Sequence, residues 1–110
     1  MNTELKTYDS AASLPWPLVP PGAFIHRDIL KAYGLSQQAL ADRLNVSRKT
    51  INELVVGKRG ITADMALRLS QLTGQSPEFW LNLQTAYDLE TARQNAEIMA
   101  KAKNINVIAA

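Results

Sequence analysis

The sequence predicts an all-α fold of five short helices, with an extended, proline-rich N-terminal arm. Three observations carry this. From Gly22 onward, apolar residues recur at three- and four-residue spacing, interrupted by glycines and by residues suited to capping helices. A period-two pattern occurs only in NINVI, residues 104–108, which is read as a frayed tail, with a short strand or a pairing edge as alternatives. The stretch LPWPLVPPG, residues 14–22, carries four prolines, which remove backbone donors and favour extended geometry.

A chain of 110 residues that is 46% hydrophobic and 20% charged reads as one small globular domain with a single core and little surface for a deep active site. The division is an arm at 1–21, a helical domain at 22–102 and a C-terminal tail at 103–110. Within the arm, Trp16 between Pro15 and Pro17 is the anchoring candidate, either onto this chain's own core or onto a partner. The first ten residues are polar, without the hydrophobic run of a signal peptide. No apolar stretch approaches the ~20 residues that span a bilayer. The expectation is a soluble, cytoplasmic protein with no membrane partner.

The elements follow in order. Ala23 to Tyr33 places Phe24, Ile25, Ile29, Leu30 and Tyr33 at helical spacing, closed by Gly34. Ser36 N-caps a second helix whose buried stripe is Ala39, Leu40 and Leu44. Ser47 caps a third, where Ile51, Leu54 and Val55 form the stripe and Gly57 ends it. Thr62 caps a fourth, with Asp64 in its first turn and Met65, Leu67, Leu69 and Leu72 as its apolar surface before Gly74. Ser76, Pro77 and Glu78 start a fifth helix that runs past Tyr87 towards Lys101. Phe79, Trp80, Leu83 and Tyr87 make its core stripe, while Leu81 and Leu89 point elsewhere and are candidates for a dimer contact.

Charge is unevenly placed. The net charge is +2, yet residues 43–60 hold Arg43, Arg48, Lys49, Lys58 and Arg59 against Glu53 alone, a local +4 that leaves −2 elsewhere. The basic run spans two short helices separated by LNVS, the turn length of a helix-turn-helix. In that motif the second helix enters the DNA major groove, which requires a small residue where the helices meet, a polar cap and an outward polar face. Ala41, Ser47 and the set Arg48, Lys49 and Asn52 meet those requirements.

At about 100° per residue, Lys49, Asn52, Glu53 and Val56 fall opposite Ile51, Leu54 and Val55, with Arg48 and Thr50 at the borders. These side chains suit base edges: Arg or Lys to guanine, Asn to adenine, Glu to cytosine, and an apolar group to the thymine methyl. Ser36 and Gln37 lie at a helix N-terminus, where free N–H groups favour a phosphate. Lys58 and Arg59 supply charge to the DNA backbone from the next loop. Arg43 is read as phosphate-facing or simply solvated.

The remaining chemistry argues against catalysis. There is no cysteine, so no thiol nucleophile or zinc–thiolate site. His26 is the single histidine, and it lacks an Asp–Ser constellation. Asp88 and Glu90 diverge on a helix, and no phosphate-binding glycine loop or metal-ligand spacing is present. No enzyme activity and no cofactor are expected.

The stretch YGLSQQALADRLNVSRKTINELVVGKRGIT, residues 33–62, resembles the Xre/Cro-like repressors, which have a lambda-repressor-like helix-turn-helix fold. Its continuation TADMALRLSQLTGQSPEFWLNLQTAYDLETA and the block PPGAFIHRDIL are similar to HigA-type antitoxins, also known as virulence-associated protein I. The resemblance runs from Pro20 to Ala92, and GKRGIT with SPEFWLNLQ is its most selective part. It implies a homodimeric repressor on a palindromic double-stranded DNA operator. It also implies neutralisation of a HigB-like toxin, a ribosome-dependent mRNA endoribonuclease. By position, the family's base-reading residues fall on Ser47, Arg48, Lys49, Asn52 and Glu53, and its phosphate contacts near Gln37, Thr50 and Lys58. The proline-rich arm departs from many relatives, so toxin contacts are not carried over to residues 1–20. A solitary Xre-type regulator, or a toxin-capping module with weak DNA binding, is the alternative.

Overall fold

The computed structural model describes residues 19–109. Trp16 and the rest of the arm before Val19 lie outside the described residues. Helix α1 spans Pro21–Ile25 and passes directly into a π-helical stretch, His26–Lys31, before a last α-turn and Gly34. It is followed by α2 (Gln37–Leu44), α3 (Arg48–Val55), α4 (Ala63–Thr73), α5 (Pro77–Arg93) and α6 (Ala96–Lys103). Among the described residues there is no strand, and Asn106 to Ala109 have no regular structure. No described helix is long and apolar enough to cross a membrane.

All four caps expected at Ser36, Ser47, Thr62 and Ser76 form, each side-chain oxygen accepting the backbone N–H three residues on. Two boundaries differ from the sequence reading. The first helix begins at Pro21 rather than Ala23, because proline at the first helical position has no N–H to leave unsatisfied and its fixed φ suits the turn. The fifth helix does not run through to Lys101. Asn95 interrupts it, and its Oδ1 accepts the Ile98 N–H at 3.1 Å to start α6. Among the described residues the helix count is therefore six rather than five.

The core joins α1 and the π-helical stretch to α2–α5. Phe24, Phe79 and Trp80 form a triangle with centroids 5.0–5.8 Å apart in tilted and edge-to-face pairs, which locks α1 to α5. Leu40, Ala41, Ile51, Ala66 and Leu69 are fully buried around it. Four stripe assignments fail: Tyr33 and Leu67 are exposed, and Ala39 and Tyr87 are only partly buried and lie outside the core cluster, Ala41 taking the inward place on α2. On α4 the buried set is Met65, Ala66 and Leu69, so the small Ala66 takes the inward position and Leu67 is rotated past the core edge.

Gly22 fixes where α1 meets α3. A Cβ there would overlap the carbonyl oxygens of Leu54 and Val55, so the start of α1 lies directly against the end of α3.

Candidate nucleic-acid interface

The turn between α2 and α3 is built by Asn45, which adopts a left-handed conformation (φ 59°) that closes α2. Ala41, fully buried, lets the two helices approach. The turn's carbonyls are held by a residue that periodicity did not single out. Arg68 on α4 donates from Nη1 to the carbonyls of Leu44 (2.8 Å) and Asn45 (3.2 Å), and from Nε to Asp64 (2.7 Å). One guanidinium thus ties α4 to the elbow and satisfies carbonyls freed by the end of α2.

Helix α3 divides as its sequence requires. Ile51 and Leu54 are buried, and Val55 packs partly against the core. Arg48, Lys49 and Asn52 are exposed, and Val56 is 55% exposed just past the helix end. Ser47 is spent on the cap: its Oγ accepts the Thr50 N–H at 3.1 Å and shares a hydrogen bond with the Thr50 hydroxyl at 2.9 Å. Ser36 likewise accepts the Ala39 N–H at 3.0 Å. Asn52 Nδ2 donates to Gln37 Oε1 at 3.3 Å, joining the start of α2 to the middle of α3. The structure therefore brings Gln37, Ser47, Arg48, Lys49, Thr50 and Asn52 onto one continuous edge.

Glu53 and Arg59 are assigned different partners by the sequence, yet they pair with each other. Arg59 Nη2 donates to Glu53 Oε1 at 2.8 Å, and the backbone N–H groups of Lys58 and Arg59 donate to the Glu53 carbonyl at 2.9 and 3.2 Å. Gly57, at φ 83°, makes this reversal. The hydrogen bond from Arg59 holds the Glu53 carboxyl below the usual carboxylate range. Partial desolvation opposes that shift, and the charges of Arg59, Lys49 and Lys58 reinforce it. Arg48, Lys49 and Lys58 have no ion-pair partner among the described residues.

The loop after α3 is held from the far side by Gln84 on α5, a second residue the pattern did not mark. Its Oε1 accepts the Ile61 N–H at 2.8 Å, and its Nε2 donates to Asp88 at 2.9 Å. The only sequence signal for Gln84 was its place in SPEFWLNLQ. Leu81 and Leu89 do not form one exposed surface: Leu81 packs partly against the core, whereas Leu89 is exposed.

A helix-turn-helix family profile matches residues 27–80. Virulence-associated protein I of Dichelobacter nodosus is 47% identical over 92 residues, covering 84% of this chain and 80% of that protein. Among solved structures, the antitoxin GraA is 38% identical with a TM-score of 0.76, covering 86% of this chain and 100% of that one. The antitoxin HigA of Pseudomonas aeruginosa, solved with the higBA promoter, is 37% identical with a TM-score of 0.75, covering 84% of this chain and 99% of that one.

Proposed function

The chain belongs to the helix-turn-helix family that includes the HigA antitoxins and virulence-associated protein I, and from that membership we propose that it is a sequence-specific DNA-binding repressor. In this reading it is the antitoxin of a type II toxin–antitoxin module. It represses its own operon as a dimer on a palindromic operator and neutralises a HigB-like mRNA endoribonuclease. The observation that carries the DNA half is the single edge on which the Gln37–Asn52 hydrogen bond joins the start of α2 to the outward face of α3.

Helix α3 enters the major groove with its N-terminal half foremost. Arg48 and Lys49 reach guanine edges, Asn52 an adenine, and Val56 a thymine methyl. Glu53 meets a cytosine with a carboxylate already shared with Arg59. The N–H groups at the start of α2 beside Ser36 and Gln37, the Thr50 hydroxyl and the Lys58 ammonium meet phosphates on either side. Arg68 ties the α2–α3 elbow to α4, and Gln84 ties the loop after α3 to α5, which supports a fixed relative placement of these groups.

The test is the double variant Arg48→Ala, Lys49→Ala. Binding to the DNA upstream of its own gene should fall by roughly a hundredfold or more, with a shallower salt dependence. The wild-type protein should protect cells that co-express the adjacent toxin gene. Unchanged DNA affinity would overturn the reading edge, and absence of protection by the wild-type protein would overturn the antitoxin role.

A further inference from the structure

We infer that Glu53 and Arg59 read a single cytosine–guanine base pair together, the carboxylate taking the cytosine and the guanidinium its paired guanine. This deepens the proposed function and rests on its DNA-reading edge. It gives Arg59 a base to read in place of the phosphate that charge alone assigns to it.

The pair is held at two levels. Gly57, at φ 83°, turns the chain back so that the N–H groups of Lys58 and Arg59 reach the Glu53 carbonyl at 2.9 and 3.2 Å. The Arg59 side chain then returns to the same residue, Nη2 donating to Glu53 Oε1 at 2.8 Å. With backbone and side chain both tied, little rotamer freedom is left to lose on binding. Glu53 follows Lys49 by one helical turn on the outward side of α3. Both side chains stay accessible, 25% for Glu53 and 47% for Arg59. Neither makes a further side-chain hydrogen bond among the described residues. Oε1 therefore keeps a lone pair, and the guanidinium keeps a second N–H on Nη2 besides those on Nη1 and Nε.

Alone, neither group suits the groove. A bare carboxylate meets the field of the phosphates, and a bare guanidinium takes the nearest phosphate. Joined, they are neutral, and their order of donors and acceptors is specific. Across the major groove a guanine–cytosine pair presents the guanine N7 and O6 acceptors and then the cytosine N4 donor. The guanidinium fork supplies donors to N7 and O6, and the carboxylate beside it accepts from N4. The spacing also agrees. Guanine O6 and cytosine N4 are partners in a base-pair hydrogen bond of about 2.9 Å, against 2.8 Å between Glu53 Oε1 and Arg59 Nη2. The two couples can lie side by side, each N–H answering an oxygen. A thymine–adenine pair in the same place sets the thymine O4 against the carboxylate and the adenine amino group against the guanidinium. The composite head rejects it twice, where either residue alone would reject it once.

The experiment is in vitro selection of binding sites from a random-sequence duplex pool by the full chain. It is repeated with Arg59→Ala, Arg59→Lys, Glu53→Ala and the double variant Arg48→Ala, Lys49→Ala. The wild-type protein should enrich a site in which one cytosine–guanine pair is preferred over thymine–adenine by roughly tenfold to a hundredfold. That preference should vanish in Arg59→Ala and Glu53→Ala alike, while preferences at other positions stay. Arg59→Lys should keep the salt dependence of binding but lose the preference, because an ammonium lacks the fork. Placing 7-deazaguanine at that pair, which removes the N7 acceptor, should weaken wild-type binding severalfold and leave Arg59→Ala unchanged.

An Arg59→Ala variant that binds every sequence evenly more weakly would make Arg59 a phosphate contact and overturn the inference. So would a cytosine–guanine preference that survives in Arg59→Ala. A wild-type protein that enriches no sequence would defeat the DNA-reading proposal itself, and this inference with it. The double variant separates the two failures. If it loses preferences of its own while Arg59→Ala selects the wild-type site unchanged, the reading edge stands and the composite head falls.

Discussion

At the level of single residues, the Glu53–Arg59 pair changes how the basic stretch should be counted. Charge alone ranks Lys58 and Arg59 as equal phosphate contacts, but the 2.8 Å bond to Glu53 neutralises Arg59, while Lys58 has no ion-pair partner among the described residues. A cation that already holds a carboxylate releases fewer counterions when it meets DNA. Lys58→Ala should therefore lower the slope of log K against log salt by about 1 per copy, and Arg59→Ala by clearly less. Glu53→Gln frees Arg59 and should steepen the slope and strengthen binding to non-specific DNA. Equal slopes for the Lys58 and Arg59 variants would show that the pair opens on DNA. Because the Glu53 carboxyl is held below its ordinary range, the pair is in place above the unfolded-state value, and its contribution is lost as pH falls through the lowered folded-state value. The non-specific affinity of the wild type should accordingly approach that of Glu53→Gln only in acid.

Between elements, the decisive contact is the start of α1 against the end of α3. Gly22 abuts the carbonyls of Leu54 and Val55, backbone atoms that cannot rotate away as a side-chain tip could. Gly22→Ala must therefore push α1 and α3 apart. It should cost about 1–3 kcal/mol in chemical denaturation, as overpacking does, and should also reduce operator affinity, because α3 carries the reading edge. A variant that loses stability but keeps full operator affinity would show that the shift is absorbed by α1 alone. This contact also marks where the sequence stops being readable. The caps at Ser36, Ser47, Thr62 and Ser76 were legible because capping is local, one side-chain oxygen serving an N–H three residues on. The division of α3 into buried Ile51 and Leu54 and exposed Lys49 and Asn52 was legible because it follows from helical period. Arg68 on the elbow and Gln84 on the loop were not, since each acts across more than twenty residues on backbone groups that have no sequence signature. The break at Asn95 was missed for a different reason: a cap inside a run of good helix formers looks like one more polar position.

For the whole molecule, the charge and the core divide the chain into separable parts. The basic excess sits on the α2–α3 edge and the following loop, and the buried residues lie between Phe24 and Leu83. Helix α6 stands outside both, at no cost to the core. If it joins the two copies of the proposed dimer, folding and association are linked, because a partner that binds only the folded chain stabilises it by mass action. The melting temperature of the full-length protein should then rise with protein concentration, each tenfold increase adding on the order of 1.4 kcal/mol of stability once the dimer is populated. A chain ending at Gln94 keeps every buried residue, so it should still melt cooperatively, but at a temperature independent of concentration. The crossing point is informative in itself. At high dilution the two forms should melt together, because α6 then has nothing to cover it, and at high concentration the full-length protein should be the more stable. A full-length chain whose melting temperature ignores concentration would mean that the 48% exposed Ile98 stays in water, and that two reading edges are brought to one operator only by the DNA itself.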